Sequence, residues 1–220
     1  MNEEQVLIAR LQDLAKRAYR QNIYTYTGFL TPAELAVVYE KQADFSFVGM
    51  TCFGGTPECE RQMVQFGSEE LFGYAGVFPI SIILVEPLLD KFAEDLSHRD
   101  FLGALMNLGI KREALGDIVF FGGDVYVFCL ERMSPFIAEN LSRIKHTSIT
   151  CETDAVFPEN AGGNLSERVI IVASPRIDAI IGGVFNLSRS TSAALVSGKK
   201  VFVNGKLCES PSFSPKENDA

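Results

Sequence analysis

The N-terminal segment combines helical and extended hydrophobic patterns. An amphipathic first helix is predicted by a stripe of apolar residues with helical spacing: Leu7, Leu11, Leu14 and Ala18. The sequence TPAE predicts a second helix that runs to about Gln42, because Thr31 can cap it and Pro32 suits its first position. FSFVGMTCFGG then predicts a strand that ends in a Gly-Gly turn, and PECERQMVQFG predicts a further helix. We expect residues 1–75 to form a small α/β domain.

A different pattern begins near Phe78. FPISIILVEP is a continuous apolar run bounded by prolines, which predicts a strand. A helix follows in HRDFLGALMNLG, then two strands around a Gly-Gly-Asp turn in GDIVFFGGDVYVFCLE, a helix capped by Ser134 in SPFIAENLSRI, and a strand in HTSITCET. This β-α-β-β-α-β order predicts a ferredoxin-like domain over residues 76–155, in which two helices cover one face of a four-stranded antiparallel sheet.

A linker and a third segment follow. TDAVFPENAGGNLSE has no periodicity and collects Pro, Gly and Asn, so it predicts the linker. RVIIVAS then predicts a strand, and SPRIDAIIGGVF predicts a helix with Ser174 as its cap and Pro175 at its first position. A second short helix is predicted between a cap at Ser188 and a stop at Gly198, and the dipeptide Asn-Gly in VFVNGK predicts a hairpin turn.

The charge of the chain changes sign in this third segment. The formal net charge of the whole chain is −8, whereas residues 174–207 contain five Lys and Arg and one acidic residue, a net charge of +4. The sign of the local net charge, and not that of the whole chain, decides where a polyanion can dock. The N-terminus, MNEEQVLIAR, is acidic where a signal peptide would be basic, and no apolar run reaches the roughly 18 residues that span a bilayer. We expect a cytoplasmic protein without a membrane partner.

The sequence contains no complete catalytic or metal motif. None of the five cysteines forms a CxxC pair, so we expect buried, reduced thiols. His98 lies close to Asp100, which invites an acid/base interpretation, but no nucleophile, metal set or second histidine completes such a site. We expect Asp100 to cap or orient its helix. No cofactor, metal, small-molecule substrate or enzymatic activity is predicted.

The basic segment combines groups that suit phosphate. The start of the second short helix offers free backbone N–H groups beside the hydroxyls of Ser188 and Ser190 and the guanidinium of Arg189. Three further cations flank the predicted hairpin: Lys199, Lys200 and Lys206. Each of these residues alone is ordinary for a solvated surface, but their one-sign clustering on an acidic chain favours a nucleic-acid site.

These motifs resemble the S4 RNA-binding domain. RID, LSRS, SGKKVFVNGK and PSFSPKENDA follow its usual run of RLD, LSRS, G-[KR]-V-x-V-N-G-K, P-S and G-D. The resemblance implies an S4 domain of the αL type over residues 168–220, with the turn formed by Asn204 and Gly205. The RNA-binding residues that it implies are Arg176, Ser188, Arg189, Ser190, Lys199, Lys200, Asn204 and Lys206. Such domains normally continue with another strand, so we expect this S4 fold to lack its C-terminal strand.

The resemblance extends over nearly the whole chain. YTGFLTPAE, FGGTPECER, LSHRDFLGALMNLGIKREALGDI and ENLSRIKHTSI are similar to the YlmH family of S4-domain proteins. That family consists of an N-terminal α/β domain, a ferredoxin-like RNA-binding domain and a C-terminal S4 domain. The resemblance implies association with rRNA and tRNA on the large ribosomal subunit, in ribosome-associated quality control or rescue of stalled subunits.

The middle segment offers a second candidate surface for RNA. Four basic or titratable residues lie at the two ends of its first helix, where they contact phosphates or merely solubilise it: His98, Arg99, Lys111 and Arg112. Tyr126 and Phe128 share one face of a predicted strand, as base-stacking aromatics do in RNA-binding sheets. The basic start and glycine spacing of such sheets are missing, so we favour core packing for both rings.

The sequence therefore predicts a non-enzymatic protein that recognises structured RNA through phosphates and helix shape. Two alternatives stay open. The first is an RNA-modifying enzyme with an appended S4 domain, although no Gly-rich cofactor loop follows a strand. The second is a protein-interaction role linked to cell division. The RNA element and the oligomeric state cannot be inferred from the sequence.

Overall fold

The computed structural model describes residues 2–89, 94–158 and 169–217 of the 220-residue chain. The chain divides into two compact units. The first contains Met1–Thr31 and Val38–Gly163, and the second contains Pro32–Val37 and Asn164–Ala220. The predicted middle domain and most of the predicted N-terminal domain, all but Pro32–Val37, thus lie within one unit, and their separation at about residue 75 stays a prediction. Most of the predicted linker lies outside the described residues.

The first helix, α1 (Glu3–Gln21), forms where the apolar stripe predicts it. The side chain of Asn2 accepts the N–H of Gln5, and the Gln5 side chain accepts the N–H of Asn2, so two of the free donors at the helix start are satisfied. The buried face of α1 consists of Leu7, Leu11, Ala15 and Ala18. Burial of this stripe provides most of the stability of the helix.

The rest of the N-terminal segment surrounds a three-stranded antiparallel sheet with the order β1-β3-β2. Its elements are β1 (Thr25–Tyr26), α2 (Pro32–Glu40), β2 (Met50–Phe53), β3 (Met63–Phe66) and the one-turn helix α3 (Glu69–Phe72). The predicted helix in PECERQMVQFG is wrong, because its second half forms β3. All four residues of β3 are buried as the central strand, and a short, largely apolar run of this kind does not distinguish strand from helix.

The middle segment forms a five-stranded antiparallel sheet with the order β5-β6-β4-β8-β7. Its elements are β4 (Ile80–Pro87), α4 (His98–Asn107), β5 (Leu115–Phe121), β6 (Asp124–Leu130), α5 (Ser134–Asn140), β7 (Arg143–Ile144) and β8 (Thr147–Glu152). The predicted β-α-β-β-α-β order is confirmed, with β7 added as a short hairpin partner of β8. The turn between β5 and β6 consists of Gly122 and Gly123, both with positive φ.

Helices α4 and α5 pack on one face of this sheet. Phe101 and Leu105 of α4 and Ile137 of α5 belong to one buried cluster with the inward residues of the strands. The sequence predicted Ser134 as the cap of α5, but Ser134 is the first residue of the helix. Its hydroxyl is buried and lies 2.9 Å from the hydroxyl of Ser81 on β4, so a tertiary partner replaces the capping role.

A buried arginine joins the two segments of the first unit. The guanidinium of Arg61 donates hydrogen bonds to the carbonyl oxygens of Phe29 at 2.9 Å and Leu115 at 3.1 Å. The carboxylate of Asp117 on β5 accepts the backbone N–H groups of Glu60 at 2.7 Å and of Arg61 at 3.2 Å. These bonds explain why the segments before and after residue 75 form one compact unit.

Besides the start of α2, the second unit contains two helices and a hairpin among residues 169–217. Its elements are α6 (Ile177–Phe185), α7 (Arg189–Ser197), β9 (Phe202–Val203) and β10 (Lys206–Leu207). Its small core consists of Ile177, Ile181, Val196 and Cys208. The two predicted helices and the predicted hairpin are confirmed, and Ser188 caps α7 as expected.

Two predictions for the second unit are wrong. The described part of RVIIVAS, residues 169–174, is not a strand, and Val169 and Ile171 are 88% and 99% exposed, so neither contributes to a core. Helix α6 begins at Ile177 rather than directly after Ser174. Its first N–H donors, from Ile177 and Asp178, bond to carbonyl oxygens in the turn at residues 210–213, which replaces a side-chain cap.

Candidate nucleic-acid interface

A cluster of hydroxyls forms at the start of α7. The left-handed backbone of Asn186 ends α6, and the extended Ser188 then begins α7. The Oγ of Ser188 accepts the N–H of Thr191 at 3.1 Å and lies 2.9 Å from the Oγ of Ser190. All these residues are exposed. The helix start therefore presents hydroxyls and backbone donors together, which suits an anionic group.

The arginines beside this helix start are organised by a buried carboxylate. Arg176 donates from Nε and Nη2 to the two oxygens of Asp178, at 3.0 and 2.8 Å. The Nε of Arg189 lies 3.7 Å from the same carboxylate. The Asp178 side chain is only 3% exposed, whereas those of Arg176 and Arg189 are 35% and 71% exposed. The bond from Arg176 holds the pKa of Asp178 below its usual value, so this carboxylate stays ionised.

The sequence predicted both arginines as RNA contacts but missed Asp178. The sequence did contain a signal for the role of Asp178. This residue is the acid within RID, and it is the only acidic residue between positions 174 and 207. An acid retained in a cationic segment needs a partner, and only the structure identifies the two guanidinium groups that face it. The predicted residues Arg176, Ser188, Arg189 and Ser190 are thus brought to one end of α7.

The predicted lysines lie at the other end of α7. Lys199 has a left-handed backbone, with φ of 57°, and it leads from α7 into β9. Lys199 and Lys200 are both exposed. The hairpin pairs Val203 with Lys206, and positive φ values at Asn204 and Gly205 confirm the predicted turn of mirror-image type. Helix α7 has nine residues, so roughly 13 Å separate the two groups of cations.

The four candidate RNA contacts of the middle segment differ in their exposure to solvent. His98 and Arg99 are exposed at the start of α4, and Lys111 is exposed beyond its end. Arg112 turns inward, where its Nη1 donates to the carbonyl oxygens of Leu115 at 2.7 Å and Gly116 at 3.2 Å. Burial, together with the nearby Arg61 charge, lowers the pKa of Arg112 to about 10. Arg112 therefore stabilises the fold, and the other three stay candidate contacts.

Asp100 has the orienting role that the sequence predicted. Its carboxylate accepts the N–H and the hydroxyl of Ser97, at 2.9 and 2.6 Å, just before α4. It also forms a 2.8 Å ion pair with Lys145. The bonds from Lys145 and Ser97 lower the pKa of Asp100 to about 2. Asp100 is thus engaged by groups other than His98, and the acid/base interpretation gains no support from this geometry.

The aromatic pair of β6 belongs to a core. Tyr126 and Phe128 are 6% and 0% exposed. The ring of Phe157 covers both, with centroid distances of 5.2 Å to each. Gly55 closes over Phe128 from another side, because a Cβ at Gly55 would lie 2.5 Å from the Phe128 ring. The interpretation as core packing is confirmed, since no base can stack on these rings in this arrangement.

A cleft of about 870 Å³ opens in the first unit. Its charged lining is balanced, with three cations and three acids: Arg10, Lys111 and Arg132, and Glu113, Glu131 and Asp154. Arg10 and Glu113 form an ion pair at 2.9 Å. The bond from Arg10 lowers the pKa of Glu113, and Lys111 and Arg132 add to that effect. Because its charges cancel, this cleft is a poor site for a polyanion.

Among the described residues, no group of three or more His, Cys, Asp and Glu could hold a metal ion. The five cysteines are free. Burial raises the pKa of Cys129 to about 12 and that of Cys151 to about 11, so both are inert thiols at neutral pH. Within the same described ranges, no helix is both long and apolar enough to cross a bilayer.

Three comparisons relate this chain to known proteins. A family model described as "Putative RNA-binding domain in YlmH" matches residues 78–156. The "Ribosome-associated protein quality control protein P2" of Bacillus subtilis (strain 168) is 30% identical over 209 residues, which cover 94% of this chain and 78% of the relative. A solved structure, "Cell division protein ylmH from Streptococcus pneumoniae", is 17% identical with a TM-score of 0.55, and the match covers 70% of this chain and 92% of that one. At that identity the structural likeness concerns the fold alone.

Proposed function

The chain belongs to the YlmH family, and from this we propose that it is a non-enzymatic, cytoplasmic RNA-binding protein of the large ribosomal subunit. The observation that carries the proposal is the exposed cationic surface of the second unit. There, Arg189 is 71% exposed beside the hydroxyls at the start of α7, and Lys199 and Lys200 are exposed at its end. Such a surface on a chain of net charge −8 suits a polyanion.

We assign the second unit to the S4 class and the segment at residues 76–155 to the ferredoxin-like class. The two short helices followed by an Asn-Gly hairpin support the first assignment. The β-α-β-β-α-β order supports the second, together with the placement of α4 and α5 on one face of the antiparallel sheet. Residues 1–75 form the N-terminal α/β part.

In the mechanism that we propose, the second unit contacts phosphates and reads the shape of a folded RNA. The arginines and hydroxyls at the start of α7 contact one phosphate group, and the lysines around the hairpin contact another. Contacts of this kind carry little base specificity, so recognition depends on the fold of the RNA. The exposed residues His98, Arg99 and Lys111 of the first unit are further candidate contacts.

The name of the Bacillus relative places that protein in ribosome-associated quality control. We propose the same setting for this chain, with rRNA and tRNA as its partners and stalled large subunits as its target. The match to an RNA-binding family model over residues 78–156 supports an RNA partner for the first unit as well.

A salt titration tests this function. Large-subunit rRNA is titrated with the protein from about 50 to 300 mM KCl, and the affinity is followed by filter binding. About four to six phosphate contacts predict a slope of log affinity against log salt of about −3 to −5. A flat response, or no binding at low salt, would contradict the proposal.

A further inference from the structure

We propose that Asp178 is a positioning residue for RNA binding: it holds Arg176 and Arg189 on the same side as the hydroxyls at the start of α7. This inference rests on the proposed function and adds a residue to its site. It explains why an acidic residue, Asp178, lies in a surface that under the proposed function binds phosphates.

The geometry of Asp178 is that of a clamp. Both of its oxygens accept bonds from one guanidinium, at 3.0 and 2.8 Å, so the plane of Arg176 is fixed as well as its position. The second guanidinium, of Arg189, stands 3.7 Å away. Both arginines are long side chains with large rotamer freedom when they are unrestrained. The carboxylate reduces that freedom before the RNA arrives, which lowers the entropy cost of binding.

A purely structural role explains less of what is seen. The N–H groups at the start of α6 are already bonded to the carbonyl oxygens of Phe213 and Pro211, so the Asp178 side chain is not required as the helix cap. Burying a carboxylate to 3% exposure is unfavourable unless it is paired, and the charged groups that pair it, beside the backbone N–H of Ala179, are the two candidate RNA contacts.

The charge of Asp178 makes the test discriminating. Asp178→Asn removes one negative charge from the cationic surface, so electrostatics alone predicts tighter RNA binding. Positioning predicts the opposite, a loss of about fivefold in affinity. The matched control is Glu209→Gln, because it removes the same charge from an exposed site in the same unit. We expect Glu209→Gln to bind as the wild type does, or slightly more tightly.

A double-mutant cycle separates positioning from general stability. In a background of Arg176→Gln and Arg189→Gln, Asp178→Asn should change RNA affinity less than about 1.5-fold, because the groups that it positions are gone. If Asp178→Asn still weakens binding fivefold in that background, the residue acts through the fold and the inference fails. Affinity equal to or tighter than wild type in Asp178→Asn alone also overturns it.

A second variant covers the case in which Asp178→Asn does not fold. Arg176→Lys keeps the cation on a partly exposed side chain but removes the two-bond geometry. We expect about threefold weaker binding with an unchanged salt slope, and wild-type affinity would contradict the inference. If instead the wild-type protein itself does not bind rRNA at low salt, the proposed function has failed and not the role of Asp178.

Discussion

One group of cations in the first unit and one group in the second differ in what they contact. In the first unit, Arg61 is 8% exposed and donates to backbone carbonyl oxygens, as Arg112 does. Arg10 and Lys145 in the same unit form ion pairs with Glu113 and Asp100. These four side chains are bonded within the protein, and the charges of Arg10 and Lys145 are paired with carboxylates.

In the second unit, three cations face solvent. Arg189, Lys199 and Lys200 are exposed, and the buried carboxylate nearby fixes guanidinium groups in place without covering them. The comparison teaches that positive charge marks a binding surface only where the structure leaves it accessible. The net charge of a segment is a first indication, and the hydrogen-bond partners of each cation decide the outcome.

The largest effect is expected from a cation of the first unit, and it concerns stability. Arg61→Ala removes a buried side chain and its donors to the carbonyl oxygens of Phe29 and Leu115, of which the Leu115 oxygen keeps its bond from Arg112. We expect the free energy of unfolding to fall by about 3 kcal/mol. Urea denaturation followed by circular dichroism measures it. Arg99→Ala, at an exposed position, is the control and should cost less than about 0.5 kcal/mol. Equal losses in the two variants would refute the structural role of Arg61.

The next effect concerns RNA binding by the second unit. Arg189→Glu combined with Lys200→Glu replaces two exposed cations with acids. We expect affinity for large-subunit rRNA at about 100 mM salt to fall about 100-fold, because phosphate contacts become repulsions. The midpoint of thermal unfolding should fall only modestly, since neither side chain is buried, although Arg189→Glu places an acid near Asp178. Retention on ribosomal subunits equal to that of the wild type would argue against the assignment.

The matched control for that variant lies in the first unit. Lys16→Glu combined with Arg17→Glu makes the same change of charge on the exposed face of α1. We expect affinity for RNA to fall less than about threefold, because only the long-range field changes and salt screens it. A loss comparable to that of the Arg189 and Lys200 variant would mean that total charge, and not the cationic surface of the second unit, drives binding.

A smaller effect is expected at the helix start of the second unit. Ser188→Ala removes the oxygen that accepts the N–H of Thr191, which should destabilise α7 by about 1 kcal/mol. Hydrogen exchange of the first amides of α7 measures this loss. Ser188→Asp restores the cap but places a negative charge at the candidate phosphate site. It should therefore recover protection and not RNA affinity, and recovery of both would show that Ser188 acts only as a cap.

The smallest effect is a pH dependence of the first unit. The pKa of Asp100, about 2, lies below its usual value near 3.8, so the ionised form is favoured by folding. The stability that this adds is present above about pH 4 and is lost as the pH falls through 2. The difference in urea midpoint between wild type and Lys145→Met should therefore be visible at pH 6 and vanish near pH 2. A difference that is the same at both values would rule out the ion pair with Lys145 as its source.

Some elements could be predicted because their signals are local. The stripe on α1, the cap at Ser188 and the Asn-Gly turn each lie within a few residues of the backbone that they determine. The β-α-β-β-α-β order also follows from runs and turns that are contiguous in sequence. Local rules of capping, periodicity and turn geometry suffice for such features.

The failures share the opposite property, because the presence or absence of a distant partner decides each of them. Strand β3 is central between β1 and β2, and nothing within PECERQMVQFG reveals those neighbours. RVIIVAS is as apolar as a strand, but its described residues extend no sheet and Ile171 is 99% exposed. The start of α6 is fixed by carbonyl oxygens more than 30 residues further along the chain. Tertiary contacts override local preference at β3 and at the start of α6, whereas the described part of RVIIVAS lacks a neighbouring strand.

The candidate site shows the same division. The sequence indicated the exposed cations of the second unit as a cluster, because one-sign charge and motif spacing are visible in it. It did not indicate that Arg112 turns inward or that Asp178 binds two arginines, since each depends on the direction of a side chain. A count of charges treats Arg112 and Arg189 alike. In the structure, Arg112 bonds to carbonyl oxygens inside the fold, whereas Arg189 is exposed to solvent.

The most direct test of the central claim is the salt slope of RNA binding in two neutralised variants. Arg189→Gln combined with Lys200→Gln should reduce the magnitude of the slope by about 1.5, because two phosphate contacts are lost. Lys16→Gln combined with Arg17→Gln should leave it unchanged. If the slope stays the same in the first variant, or falls equally in both, the exposed cations of the second unit do not make the contacts that this account assigns to them.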